Sequence, residues 1–167
     1  MPHPKSPVDF EAALRLLVEH GVDFVVVGGL AASAHGAARV TYDLDIVYSR
    51  TSDNLFRLAA ALSGVNPYLR GAPTGLPFRW EAETLQRGLN FTLTTSVGDI
   101  DILGEIAGGG GFEQLVPHSI RIEAFGIECW CLGLPKLIEV KRAAGRPKDL
   151  EAIAELEALL EERTKEG

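Results

Sequence analysis

The spacing of hydrophobic residues along the chain switches between helical and strand periods, and each switch predicts an element. In "SPVDFEAALRLLVEHG", Phe10, Leu14, Leu17 and Val18 form a helical stripe. Ser6 suits its cap, Pro7 its first turn and Gly21 its end. "VDFVVVGG" is a continuous β-branched and aromatic run, which predicts a buried strand ending at Gly28-Gly29. "LAASAHG" reads as a short helix broken at Gly36. Residues 39–48 then alternate. Val40, Tyr42, Leu44, Ile46 and Tyr48 fall on one face, with Thr41, Asp43, Asp45, Val47 and Ser49 on the other.

Helical spacing returns in "TSDNLFRLAAALSG", capped at Thr51 or Ser52 and stopped by Gly64. Residues 66–77 are rich in Pro and Gly and read as loop. "GLNFTLTTS" and "GDIDILGEI" predict two strands joined through Ser96-Val97-Gly98 as a hairpin. "AGGGG" reads as a flexible connector, and "IRIEAFGIECWCL" as two strands around Gly126. Two helices finish the chain: "LPKLIEVKRAAG", with Pro135 near its start, and "RPKDLEAIAELEALLEER", with Pro147 in its first turn. Leu150, Ile153, Leu156 and Leu160 should form the inner face of the last helix. The order α-β-α-β-α-ββ-β(β)-α-α predicts one domain over residues 1–167 of the α/β (α+β) class. Its sheet should be mixed and mostly antiparallel, with helices packed on one side and a C-terminal helical segment at about 135–163.

Composition narrows the function classes. A formal charge of −7 leaves no global basic footprint for nucleic acid, though Arg70, Arg79 and Arg87 suggest a local patch that a tRNA end could reach. No apolar run approaches the ~20 residues of a membrane span. The start, "MPHPKSPVDF", lacks the apolar segment of a secretory signal. Cys129 and Cys131 in "ECWC" read as reduced, partly buried thiols, so a cytoplasmic protein is expected. A C-x-C metal half-site would lack its second half.

The acids carry the first chemical signal. Asp43 and Asp45 share a strand face, and so do Asp99 and Asp101 in "GDIDIL". Strands disfavour Asp, and one such residue would be an ordinary exposed strand position. Two D-x-D strands side by side would bring three or four carboxylates together, which cannot all stay ionised without a cation. Mg²⁺ suits that role, because it takes hard oxygen ligands and is shared between carboxylates and substrate phosphates. Two such ions could clamp an in-line phosphoryl displacement. "DLDIVYSR" lacks the third oxygen ligand and the Gly of an EF-hand loop. The Gly28-Gly29 turn stands between a strand and a helix, where backbone can approach an anion closely. It matches neither the G-x-G-x-x-G spacing nor a Walker A loop.

Together, "VGGLAASAHGAARVTYDLDIV" resembles the signature of the DNA-polymerase-β-like nucleotidyltransferase superfamily. There a Gly-Gly or Gly-Ser turn opens a short helix, a D-x-D strand follows, and a later strand gives a third carboxylate. "HGAARVTYDLD" is similar to small bacterial nucleotidyltransferases, including toxin-type members of toxin–antitoxin pairs. "LPKLIEVKRAAGRPKDLEAIAEL" resembles their C-terminal helical segment.

The resemblance implies a nucleotidyltransferase fold. It implies transfer of a nucleoside monophosphate from a nucleoside triphosphate to an acceptor hydroxyl on an RNA end, a protein side chain or a small molecule. It places metal-ligand and catalytic roles on Asp43, Asp45 and Asp101, with Asp99 competing for the third. Mg²⁺, as two ions, is the implied cofactor, with Mn²⁺ as the alternate. Nucleotide contacts fall to Gly28, Gly29, Ser33, Arg39, Lys141 and Arg146. Ser33 sits later than the family's usual Ser. His35 reads as a polar filler, Arg142 and Lys148 as surface charges, and Asp149 as a partner of Lys141 or Arg146 or a helix cap. An antitoxin or a second copy of the chain is the implied protein partner, with no membrane. The rival reading is a non-catalytic nucleotide- or protein-binding module, or an antitoxin-like partner, on the same fold.

Overall fold

The computed structural model describes residues 8–38 and 41–166. Helix α1 (Phe10–Glu19) is capped by Asp9, whose carboxylate accepts the Ala12 N–H at 3.0 Å. Ser6 and Pro7, expected at this end, lie outside the described residues. The helix buries Ala13, Leu14 and Leu17. Val18 sits at the solvent edge of that face rather than inside it.

Strand β1 (Phe24–Val27) is buried at every position, so both of its faces are covered. Helix α2 (Gly28–Ala34) begins on the two glycines themselves. Strand β2 (Asp43–Tyr48) is shorter than the alternation suggested. Tyr42 precedes it and is exposed, while Arg39 and Val40 lie outside the described residues. Helix α3 (Ser52–Leu62) takes Thr51 as its cap, which accepts the Asn54 N–H at 3.3 Å. Buried Asn54 then ties α3 to the strand ends through Asp23 and the Ser49 carbonyl.

The region expected to be loop contains a two-residue edge strand, β3 (Tyr68–Leu69). Helix α4 (Ala82–Arg87) follows. Arg50 donates to the Leu85 and Gln86 carbonyls and to the Tyr48 hydroxyl, which anchors α4 under β2. Strands β4 (Phe91–Thr95) and β5 (Gly98–Leu103) form the expected hairpin. The glycine run is not a loose connector. It closes a small hairpin of β6 (Glu105–Ile106) and β7 (Gly110–Gly111), which leads into α5 (Phe112–Leu115).

Strands β8 (Ser119–Ala124) and β9 (Ile127–Leu132) turn at Phe125 and Gly126, both at positive φ, as a tight hairpin turn demands. Cys129 and Cys131 are free and buried on β9. Helix α6 (Leu134–Ala144) ends at Gly145 in the left-handed conformation, and α7 (Pro147–Glu166) packs on it. On α7, Ile153 and Leu156 are buried as expected, Leu160 is packed against the core, and Leu150 faces solvent. Among the described residues no helix is long and apolar enough to cross a membrane.

The main sheet runs β3-β4-β5-β2-β1-β9-β8. It is parallel only at β2–β5 and β1–β9 and antiparallel elsewhere. Leu44, Ile46, Tyr48, Leu93, Ile100 and Ile102 are buried on one face of its centre. By alternation the opposite face carries Asp43, Asp45, Asp99 and Asp101.

Candidate active site at the centre of the sheet

Strand register brings the acids together. Asp43 pairs with Asp99 and Asp45 with Asp101 across the parallel β2–β5 ladder, so four carboxylates share one face in two ranks. The Asp45 and Asp101 carboxyls share a hydrogen bond. Burial, then the charges of Asp101 and Asp43, push the Asp45 carboxyl up to about 7, against an opposing pull from Lys148.

A fifth side chain completes this cluster. Arg70 follows β3 and continues its pairing, with its N–H donating to the Thr92 carbonyl at 2.9 Å. Thr92 in turn stands opposite Asp101. Arg70, Thr92, Asp101 and Asp45 thus form a row across four neighbouring strands. The Arg70 Nη2 donates to Asp101 Oδ1 at 2.6 Å and to the Leu93 carbonyl at 2.8 Å. Its Nε lies 3.3 Å from Asp99 Oδ2, and its Nη1 4.0 Å from Asp43 Oδ2. The basic patch expected of Arg70, Arg79 and Arg87 therefore loses Arg70 to the acids, while Arg87 pairs with Glu83 on α4.

The glycine pair is explained locally by the same strand. Gly28 has φ +67°, and a Cβ there would overlap the Asp45 carboxylate; a Cβ on Gly29 would overlap the Thr41 hydroxyl. Only bare backbone fits at both positions, against Asp45 on β2 and against Thr41 just before that strand.

Cations face the acids from the α6–α7 turn. Asp149 is buried, and accepts from Arg146 Nε at 2.6 Å and Nη2 at 3.2 Å. Lys141 Nζ lies 4.0 Å from the same carboxylate. Burial pushes the Asp149 carboxyl up, but the Arg146 hydrogen bonds and charge outweigh it and hold it below the usual value. Burial also lowers the Lys141 ammonium, opposed by Asp149 and Asp45.

Two cavities meet at this wall. One, of about 300 Å³, is lined by Gly28, Gly29, Thr41, Asp43, Lys141 and Lys148, among others. The second, of about 260 Å³, is more apolar, with Leu103, Ile106, Leu137 and Val140 beside Asn90 and Glu105. Gly28, Asp45, Lys141, Arg146 and Asp149 border both.

The structure therefore gathers Gly28, Gly29, Asp43, Asp45, Lys141 and Arg146 around one space, whereas Asp101 lines neither cavity and stands behind it, beside Asp45 across the β2–β5 ladder. Ser33 lines neither cavity, and Arg39 lies outside the described residues. Lys148, read as a surface charge, lines the larger cavity, whereas Arg142 pairs with Glu157 on the outside. His35 is a structural link. Its Nε2 donates to the Leu132 carbonyl at 2.8 Å, and its Nδ1 accepts from Arg163 at 3.0 Å. The sequence reading gave Arg70 to a basic patch and Lys148 to the surface, because one falls in a Pro/Gly-rich stretch and the other in the charged first turn of α7. Alternation outward from β4 is the signal that could have found Arg70.

Compared by sequence, no family model and no curated protein matches the chain. Compared by structure, it is similar to a crystal structure from Thermotoga maritima, of a protein provisionally assigned as a nucleotidyltransferase. The TM-score is 0.56 at 17% identity, over 87% of this chain and 88% of that one. The chain has a nucleotidyltransferase fold.

The donor set here fits a divalent cation in chemistry, since it offers hard carboxylate oxygens crowded enough to force a proton onto Asp45. Among the described residues, however, no three His, Cys, Asp or Glu side chains stand ready as a ligand group. An ion sharing one or two carboxylates with substrate phosphates fits this arrangement better than a closed protein cage.

Proposed function

We propose that the chain is a Mg²⁺-dependent nucleotidyltransferase that moves a nucleoside monophosphate from a nucleoside triphosphate to an acceptor hydroxyl. The observation that carries this reading is the Asp45–Asp101 pair, level on parallel strands, beneath bare Gly28 backbone and opposite Lys141 and Arg146. Asp43 and Asp45 would hold the metal, which supplies charge neutralisation at the phosphates. Gly28 and Gly29 let phosphate oxygens come close to the main chain. Lys141 and Lys148 offer point charges to the triphosphate, and Arg146 a planar fork held in place by Asp149. The acceptor oxygen bonds to the α-phosphorus as the bond to the bridging oxygen breaks, and pyrophosphate leaves. Asp101 offers a carboxylate to the acceptor's proton. The chain's work is positioning and neutralisation of charge.

The more apolar second cavity borders the same Asp45, which suits an acceptor group entering beside the triphosphate. One observation favours the rival reading of a nucleotide-binding module without catalysis. Arg70 already neutralises part of the acid cluster.

The deciding experiment incubates the protein with Mg²⁺ and each α-labelled triphosphate, over tRNA, total protein and small-molecule acceptors, beside Asp43→Asn. Label transfer by wild type alone supports the enzyme. Triphosphate binding with no transfer to any acceptor supports the module.

A further inference from the structure

The pairing of Arg70 with the carboxylates goes beyond closing a sheet edge. Neighbouring strands stand about 4.8 Å apart, so a side chain two strands away must cross roughly 10 Å of sheet to reach Asp101. Arginine is long enough, and the intervening position is Thr92, whose short side chain leaves the way open. The Arg70 side chain is three-quarters buried, and its guanidinium is doubly tethered, by the Leu93 carbonyl and by Asp101. Its hold weakens in order from Asp101 at 2.6 Å to Asp99 at 3.3 Å to Asp43 at 4.0 Å. Asp45, in the same row, instead lines a cavity together with Lys141 and Lys148.

We propose that Arg70 is a resident second cation of this site. It supplies the positive charge at Asp99 and Asp101, and the chain therefore takes a single divalent ion, at Asp43 and Asp45, rather than two. The inference rests on the metal-binding reading above and revises the number of ions that the sequence resemblance implied. A guanidinium differs from a metal in what it can do at Asp101. It fixes the carboxylate by directed hydrogen bonds and cannot take an acceptor oxygen as a ligand. Orientation of the acceptor then falls to protein side chains, not to an ion.

The test is a Mn²⁺ titration of the intact protein, with free Mn²⁺ followed by electron paramagnetic resonance, so that bound ions per chain are counted without any turnover. Wild type should bind one ion, Asp43→Asn should lose it, and Arg70→Gln should bind two. If Arg70→Gln does not fold, Arg70→Lys answers in its place. A single ammonium cannot span Asp99 and Asp101 together, and a second ion should again bind. Two ions in wild type, or one ion in the folded Arg70 variant, overturns the proposal while leaving the metal-dependent enzyme standing. No ion in wild type, either alone or with a non-hydrolysable triphosphate analogue added, removes both.

Discussion

Asp45 and Asp101 face each other across two parallel strands and share a hydrogen bond between their carboxyls. Two acids can do this only while a proton remains between them. The Asp45 carboxyl titrates at about 7 in the folded chain, against an ordinary value of 3.8. The folded state therefore holds a proton that the unfolded chain has released, and stability falls as pH rises through that window. In chelator, the melting temperature of wild type should drop between pH 5 and pH 8 relative to that of Asp45→Asn, which keeps the shape without the charge. Parallel pH profiles for the two proteins would show that another group carries the dependence.

Gly28→Ala should be costly twice over, through the positive φ of Gly28 and through the Asp45 carboxylate that a Cβ would strike. A loss of roughly 1–3 kcal/mol is expected from the backbone conformation alone. Gly64→Ala is the control, since Gly64 has open space around it and no positive φ. Urea unfolding of both variants checks the contrast, and similar midpoints would contradict it.

Asp149→Asn breaks charged hydrogen bonds to Arg146 and the ion pair to Lys141. A stability loss of roughly 1.5–3 kcal/mol is expected at pH 7. Because the Asp149 carboxyl is held below its ordinary 3.8, this contribution is present above that value and lost as pH falls below it. The difference between variant and wild type in chemical denaturation should therefore shrink near pH 3. A constant difference across the range would place the effect in packing instead.

Burial lowers the His35 imidazole, against the bond to the Leu132 carbonyl and with help from Arg163. Its neutral form is the one that fits, donating at one nitrogen and accepting at the other. Stability from this link should be complete above the ordinary value of 6.5 and decline as pH falls below it. His35→Gln should flatten that limb of the pH–stability curve. Nuclear magnetic resonance titration of the ring in wild type should give an inflection below 6.5.

Much of this arrangement was legible in the chain because periodicity reports faces. The alternation in "TYDLDIVY" and "GDIDIL" put the acids on one side of each strand, and register did the rest. Helix ends with local punctuation, at Thr51, Gly145 and Pro147, were equally readable. Elements made by long-range pairing were not. β3 is two residues long and exists only because β4 lies beside it, so Arg70 carried no local sign of its destination. Val18, Tyr42 and Leu150 keep the right period for burial, yet each sits at the rim of its element, where no neighbour covers it. The glycine run looked unstructured because glycine permits many conformations; here it serves a hairpin with positive φ at Gly108 in the turn and at Gly110 where β7 begins.

The α6–α7 turn, which brings Lys141, Arg146 and Asp149 over the acids, has a consequence for timing. During synthesis the acid face, from β2 and β5, leaves the ribosome well before the cations that oppose it. A growing chain can pair its strands early, but the wall between the two cavities must wait for the last helices to dock. The acid face and the cations opposite it thus come together only when nearly all of the chain described here has been made.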